Sequence, residues 1–304
     1  MVGAPPTRTR FADFGYATLG AFCFGLTIMF QRLVADNGIG APTALGIRFA
    51  IAGLLLVAVL LIMRRPVLPP RGERLRMALF GLVLYSFESS FFFMALERGT
   101  AAAVALLFYS YPAVVTGVEL GLRTVRPTRA LAVALALSIG GAAVVALGGG
   151  EVSITVAGIG FTFASVACFS GYVLGSARWL VRTDSMQAAT WTALGACVGV
   201  TTYGMLTGDL HAPSSGNLLA LAANGVATAV AFTLFFVALA RLGPSRTAVV
   251  MALEAVFAVL LAAVFLGERV EPLVALGGLA VLAGAVFAAL TVPPVDAERE
   301  LTPP

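Results

Sequence analysis

The passage from Phe92 to Val114, FFMALERGTAAAVALLFYSYPAV, returns as FFVALARLGPSRTAVVMALEAVF from Phe235 to Phe257, at a constant offset of 143 residues. Phe92, Phe93, Ala95, Leu96, Arg98 and Ala105 meet Phe235, Phe236, Ala238, Leu239, Arg241 and Ala248. The same offset carries on to Gly141/Gly284 and Ala146/Ala289. A chain that holds one unit twice is expected to fold as two related halves. Both copies sit in sequence too apolar for a water-soluble domain. The chain is 60% hydrophobic and 11% charged, with a mean hydropathy of +0.98, where soluble domains are about a quarter charged. Lipid is therefore the expected solvent, and the fold class an all-α integral membrane protein.

Runs of about 20 apolar residues, the length needed to cross a bilayer, occur ten times. They cover roughly 14–32, 42–63, 75–96, 100–122, 129–147, 155–177, 186–206, 217–240, 245–266 and 273–292. Each run is continuous rather than alternating, which favours helix over barrel strand. Prolines and glycines punctuate the connections, as at Pro66–Pro69–Pro70, Gly148–Gly149–Gly150 and Gly243–Pro244. The division is thus a first five-helix repeat at 14–147 and a second at 155–292. The join falls at 148–154, and the tails are 1–13 and 293–304.

Arginine sets the direction, since the chain has no lysine. With a cytoplasmic N-terminus, fifteen of the nineteen basic residues fall in cytoplasmic segments, among them Arg64, Arg65, Arg71, Arg74, Arg76, Arg178 and Arg182. Only Arg32, Arg98 and Arg269 fall on the opposite side, and Arg48 lies within helix 2. The positive-inside rule then puts both termini in the cytoplasm of a cell-membrane protein. Five helices per repeat is an odd number, so the second copy enters from the opposite face. Ten helices are expected as two inverted five-helix repeats, with a substrate site near the pseudo-two-fold axis.

A charge near the bilayer centre costs about 2.5–3.5 kcal/mol on insertion scales, so the few ionisable residues inside spans are the site candidates. Glu88 on helix 3 lies nine residues from Glu97, about 13 Å from the outer end at 1.5 Å per residue. Tyr85 and Phe92 share its face at i−3 and i+4. Such an acid fits an amine or a coupling proton. Arg48 enters helix 2 by about 9 Å from the same side; it fits either a structural pair with Glu88 or an anion clamp. Glu254 on helix 9 stands about 12 Å above the cytoplasmic end, and the repeat places it opposite Tyr111. Pro112 follows Tyr111 and removes a backbone donor, which can kink helix 4. Glu119 precedes Arg123 by four residues and reads as an interfacial pair. Tyr172, Trp191 and Asn224 are weaker cavity candidates, and His211 falls in an external loop.

Helix 2 (TALGIRFAIAGLLL), helices 3–4 (FFMALERGTAAAVALLFYSYPAV) and helix 9 (GPSRTAVVMALEAVFAVLLAAVFLGERVEP) resemble the EamA family of the drug/metabolite transporter superfamily. The family pattern has Leu-Glu-Pro in helix 9, whereas this chain has Leu253–Glu254–Ala255. A kink there would lack its usual cause. The resemblance implies a ten-helix basket around a central cavity and export of amino acids, metabolites or drugs.

Other function classes find less support. The pI near 9.3 comes from the cytoplasmic arginines, so nucleic acid is not implied. Cys23, Cys168 and Cys197 are scattered within spans, and neither a metal site nor a cofactor is expected. The single histidine leaves a membrane enzyme without a catalytic constellation. A phosphate-cradling loop would need the lysine the chain lacks. The expectation is a secondary transporter of a small amphipathic molecule, with protons as a candidate coupling partner; the alternative is a non-transporting receptor or assembly subunit.

Overall fold

The computed structural model describes residues 7–148, 153–212, 217–267 and 271–291. The tail at 293–304, residues 149–152 of the join, and Arg269 lie outside the described residues. The first half comprises α1 (Thr7–Asp36), α2 (Ala41–Ile62), α3 (Arg74–Leu79), a π-helical segment (Phe80–Tyr85), α4 (Ser86–Leu96), α5 (Ala101–Phe108), α6 (Tyr111–Gly121) and α7 (Arg129–Gly148). The second comprises α8 (Val156–Trp179), α9 (Ser185–Thr207), α10 (Leu218–Leu242), α11 (Pro244–Met251), α12 (Leu253–Leu266) and α13 (Pro272–Thr291). No strand occurs among the described residues; a single isolated bridge joins Gly99 to Ile154.

Among the described residues, six helical stretches are long and apolar enough to cross a membrane: Ala12–Val34, Ala41–Ile62, Arg74–Leu96, Val156–Trp179, Leu218–Leu242 and Pro244–Phe265. Two shorter apolar segments, Arg129–Val145 and Pro272–Phe287, accompany them. The remaining expected spans differ for local reasons. α9 has 23 residues but carries Gln187, Thr190, Thr192, Thr201 and Thr202. The helix expected at 100–122 is two short helices, α5 and α6, parted by a turn at Tyr109–Ser110. Pro112 in the first turn of α6 has no N–H to continue the ladder back through that turn.

The second half breaks at the equivalent place. α11 stops at Met251 and α12 restarts at Leu253, with Ala252 in a turn; Ala252 stands 143 residues after Tyr109. The N–H of Ala255 reaches back only to the carbonyl of Ala252, at 3.2 Å. No proline is involved.

Glycines let the helices approach closely. A Cβ on Gly141 of α7 would stand 2.6 Å from the Val281 nitrogen of α13, and one on Gly284 would meet Ser138 Oγ at 2.6 Å. The second contact is the first with the halves exchanged, since 138 and 281, like 141 and 284, differ by 143. Numbers rise along α7 as they fall along α13, so the two helices pack antiparallel. α2 and α9 do likewise: Gly46 faces Thr201 and Gly53 faces Leu194. Close backbone contact of this kind is how helices associate where lipid removes the hydrophobic drive.

Large apolar side chains cover the surface, and hydroxyls and amides are buried among an apolar core. Leu54, Leu219, Val264 and Leu279 are exposed, while Ser138, Thr162, Ser165, Thr190, Asn224, Thr228 and Thr247 are fully buried. Caps fix several helix ends. Asp184 and Gln187 form a reciprocal capping box on α9, and Gly208 and Gly267 end α9 and α12 in the left-handed conformation.

Candidate functional site

Two buried ionisable residues, Arg48 and Glu88, lie within electrostatic reach of Glu254, which stands directly after one helix interruption. Arg48 on α2 is buried, and its Nε donates to Thr228 Oγ1 on α10 at 2.7 Å. Thr228 donates in turn to the Asn224 carbonyl at 2.7 Å, and Asn224 Nδ2 donates to Gln31 Oε1 on α1 at 3.1 Å. One polar chain therefore ties α1, α10 and α2 together at membrane depth. The guanidinium lies 5.0 Å from the Phe49 ring centroid. Its terminal nitrogens make no hydrogen bond to a described residue.

Glu88 takes a different set of partners. Its carboxylate accepts from Ser89 at 3.0 Å and from Ser165 on α8 at 3.4 Å. The structural pair with Arg48 weighed from sequence does not form: no salt bridge joins them, although Arg48 interacts electrostatically with Tyr85, Glu254 and Glu88. The reason is competition. Thr228 holds Arg48 through its Nε and two serines hold Glu88, so each is anchored on its own side.

Glu254 has no partner at all among the described residues. It sits in the first turn of α12, directly after the break, where the N-terminal end of the helix favours negative charge. It is half-buried, and Arg48 and Glu88 act on it electrostatically. Tyr109 and Tyr111 also lie within its electrostatic reach. Opposite it, the Tyr111 hydroxyl donates to the Ala248 carbonyl at 3.2 Å, and Ser138 Oγ reaches the Val249 carbonyl at 3.5 Å. The break in one half is thus held by side chains of the other.

Aromatic rings enclose these charges. Tyr85 meets Phe49, Tyr172 and Phe232 edge-on at 5.7, 5.2 and 5.1 Å. Phe169 bridges Tyr111 at 4.9 Å and Tyr172 at 6.2 Å. The Tyr172 hydroxyl shares a hydrogen bond with Thr192 at 3.1 Å. Arg48, Tyr85, Glu88, Tyr111, Tyr172, Asn224 and Glu254 therefore belong to one neighbourhood. Trp191 does not; its Nε1 donates to the Val67 carbonyl at 2.9 Å and ties α9 to the α2–α3 loop. Glu119 is corrected as well. It makes no ion pair with Arg123; it caps the N-terminus of α11 by accepting from the Ser245 nitrogen at 2.8 Å and from the Ser245 hydroxyl.

Sequence reasoning passed over Gln31, Thr228, Ser89, Ser165 and Phe169. The repeat held a signal for one of them, because Thr228 stands 143 residues after Tyr85. It also follows Asn224 by four residues, on the same helix face. The serines and Phe169 had no such mark. A cavity of about 210 Å³ between α2, α4 and α9 reaches Leu45 and Ser90, close along the chain to Arg48 and Glu88. It opens beside Glu97 and His211, at the end where sequence places the outside.

Together the groups present a guanidinium, two carboxylates and tyrosine hydroxyls in an aromatic surround; among the described residues Glu254 has no partner and Arg48 is bonded only through its Nε. Among the described residues no cluster of His, Cys, Asp and Glu could hold a metal ion. A family model described as EamA-like transporter family matches residues 14–147 and again 156–290. A solved structure titled "Crystal structure of protein" is similar with a TM-score of 0.76 at 19% identity, covering 90% of this chain and 98% of its own. At that identity the likeness speaks for the fold alone. No curated protein matches the sequence.

Proposed function

From the premise that this chain belongs to the EamA-like transporter family, we propose that it is a secondary transporter of the cell membrane that exports a small amphipathic molecule by alternating access. The chain is a membrane protein of apolar helices. The finer reading is ten spans, counting α3–α4, α5–α6 and α11–α12 as one each, arranged as two inverted five-helix repeats with both termini cytoplasmic. Antiparallel packing of α7 on α13 and of α2 on α9 supports the inversion.

One observation carries the proposal: both repeats interrupt the equivalent helix at the same position, next to Glu254, which has no partner among the described residues and lies within electrostatic reach of Arg48. Discontinuous helices at the interface of two repeats are where secondary transporters place substrate. Glu254 and Arg48 would engage the polar groups of the guest, and Tyr85, Tyr172 and Phe169 its apolar part. Glu88, held by two serines, would be the steadier of the two acids. Exchange of a proton at Glu254 would couple export to a proton gradient.

The test is counterflow in proteoliposomes with amino acids and amphipathic amines, with and without an imposed pH gradient. The proposal expects saturable flux that Glu254→Gln abolishes or uncouples from the gradient. Binding without flux would instead indicate a receptor. Flux indifferent to both Glu254→Gln and Glu88→Gln would remove the acids from the mechanism.

A further inference from the structure

Away from the helix interruptions, a cavity of about 470 Å³ lies between the α2–α3 loop and the α8–α9 loop. Arg65, Arg74 and Arg182 line it, against the single carboxylate of Asp184. Its floor is Leu60, Leu68 and prolines. We propose that this pocket binds the phosphate of an anionic phospholipid headgroup in the cytoplasmic leaflet.

The pocket is built rather than accidental. Gln187 donates to the carbonyls of Pro66 and Leu68, and Trp191 to that of Val67. Glu73 accepts from the Arg182 backbone nitrogen and from Thr183. Arg74 spends only its Nε, on the Pro69 carbonyl at 2.9 Å, which leaves its terminal nitrogens free. Arg65 meets Asp184 at 3.8 Å with both side chains half exposed, a contact of little strength. The Arg182 side chain has no partner among the described residues. Three guanidinium groups with donors to spare suit a phosphate, which arginine binds through paired N–H groups.

The surroundings specify a lipid. Leu61, Ile62, Trp179 and Val181 beside the pocket are exposed apolar residues, so the arginines stand where apolar helix surface ends. Headgroups occupy that level, and the cytoplasmic leaflet carries anionic ones.

An internal control sharpens the argument. The cavity of about 210 Å³ is the same place in the other half: Tyr203, Asp209, His211 and Ala41 there stand at the repeat positions of Leu60, Pro66, Leu68 and Asp184. That sister pocket is lined by Glu97 and Asp209 and by no arginine. The positive-inside rule accounts for arginines anywhere on the cytoplasmic segments. It does not account for three of them converging on one pinned concavity while Arg71 and Arg76, on the same stretch of chain, stay out of it.

The inference rests on the orientation proposed above but not on transport. Purified full-length protein would be titrated with phosphatidylglycerol, phosphatidylcholine and inorganic phosphate, and bound lipid read by native mass spectrometry. Phosphatidylglycerol should be retained in preference to phosphatidylcholine. Arg65→Gln, Arg74→Gln and Arg182→Gln together should weaken it on the order of a hundredfold, about fivefold each. Arg71→Gln with Arg76→Gln should leave it unchanged. Arg182→Gln alone breaks no described side-chain contact and keeps the test open if the triple variant does not fold. Equal retention of phosphatidylcholine, or equal loss in the Arg71/Arg76 variant, would overturn the proposal. Displacement by millimolar inorganic phosphate would assign the site to a free anion and overturn the lipid. Intact flux with no lipid preference would sink this inference and spare the transporter.

Discussion

The interrupted helices α5–α6 and α11–α12 break at repeat-equivalent positions by different means. In the first, Pro112 removes a backbone donor, and a turn at Tyr109–Ser110 follows from the covalent chain. In the second, Ala255 occupies the proline's repeat position and the break persists. There Tyr111 and Ser138, from the first half, take the carbonyls of Ala248 and Val249. A regular helix would have used those acceptors internally. The lesson is that a helix break in a dry interior needs partners for the freed carbonyls more than it needs a proline. The halves also differ in what they place after the break: Tyr111 is bonded, whereas Glu254 has no partner among the described residues.

That difference can be broken experimentally. Glu254→Gln should lower flux by about tenfold or more, since hydrogen bonds to a charged group are worth about 1.5–3 kcal/mol, while Tyr111→Phe should leave much of it. Comparable losses from both would erase the distinction between them. Next in size, Gly141→Ala and Gly284→Ala should each cost about 1–3 kcal/mol by forcing α7 and α13 apart. Thermal unfolding in detergent would show whether the two symmetry-related positions cost alike; unequal shifts would mean the pseudo-symmetry is only approximate here. Tyr111→Phe should destabilise by about 1–2 kcal/mol, because the Ala248 carbonyl loses its donor in a buried place. The smallest effect is expected from Ala255→Pro. It forfeits only the 3.2 Å bond to Ala252 and should cost about 1 kcal/mol, where proline inside an unbroken helix costs about 3 kcal/mol. A loss near the larger figure would show that α11 and α12 behave as one continuous helix.

Much of the frame was legible before any coordinates. Apolar runs, the offset of 143 and the arginine distribution required helices in lipid and two related halves. The ionisable residues within spans were visible as exceptions, and Arg48, Glu88 and Glu254 lie within electrostatic reach of one another. Their partners were not legible. Whether Arg48 pairs with Glu88 or with a threonine depends on which hydroxyl α10 brings alongside, and Thr228 looks unremarkable in a helix of small and apolar residues. Trp191 looked like a cavity residue because it lies within a span, yet a loop carbonyl claims its nitrogen. Glu119 stood four residues before an arginine, but the free N–H groups of α11 offered a better partner.

Sequence alone determined the solvent and the duplication, because hydropathy and repeat spacing are properties of the chain that no packing can alter. Tertiary structure decided which charges are satisfied and which remain open, along with the second helix break. Those outcomes depend on donors and acceptors from opposite halves meeting at hydrogen-bond distance, and such meetings are written in no single stretch of residues.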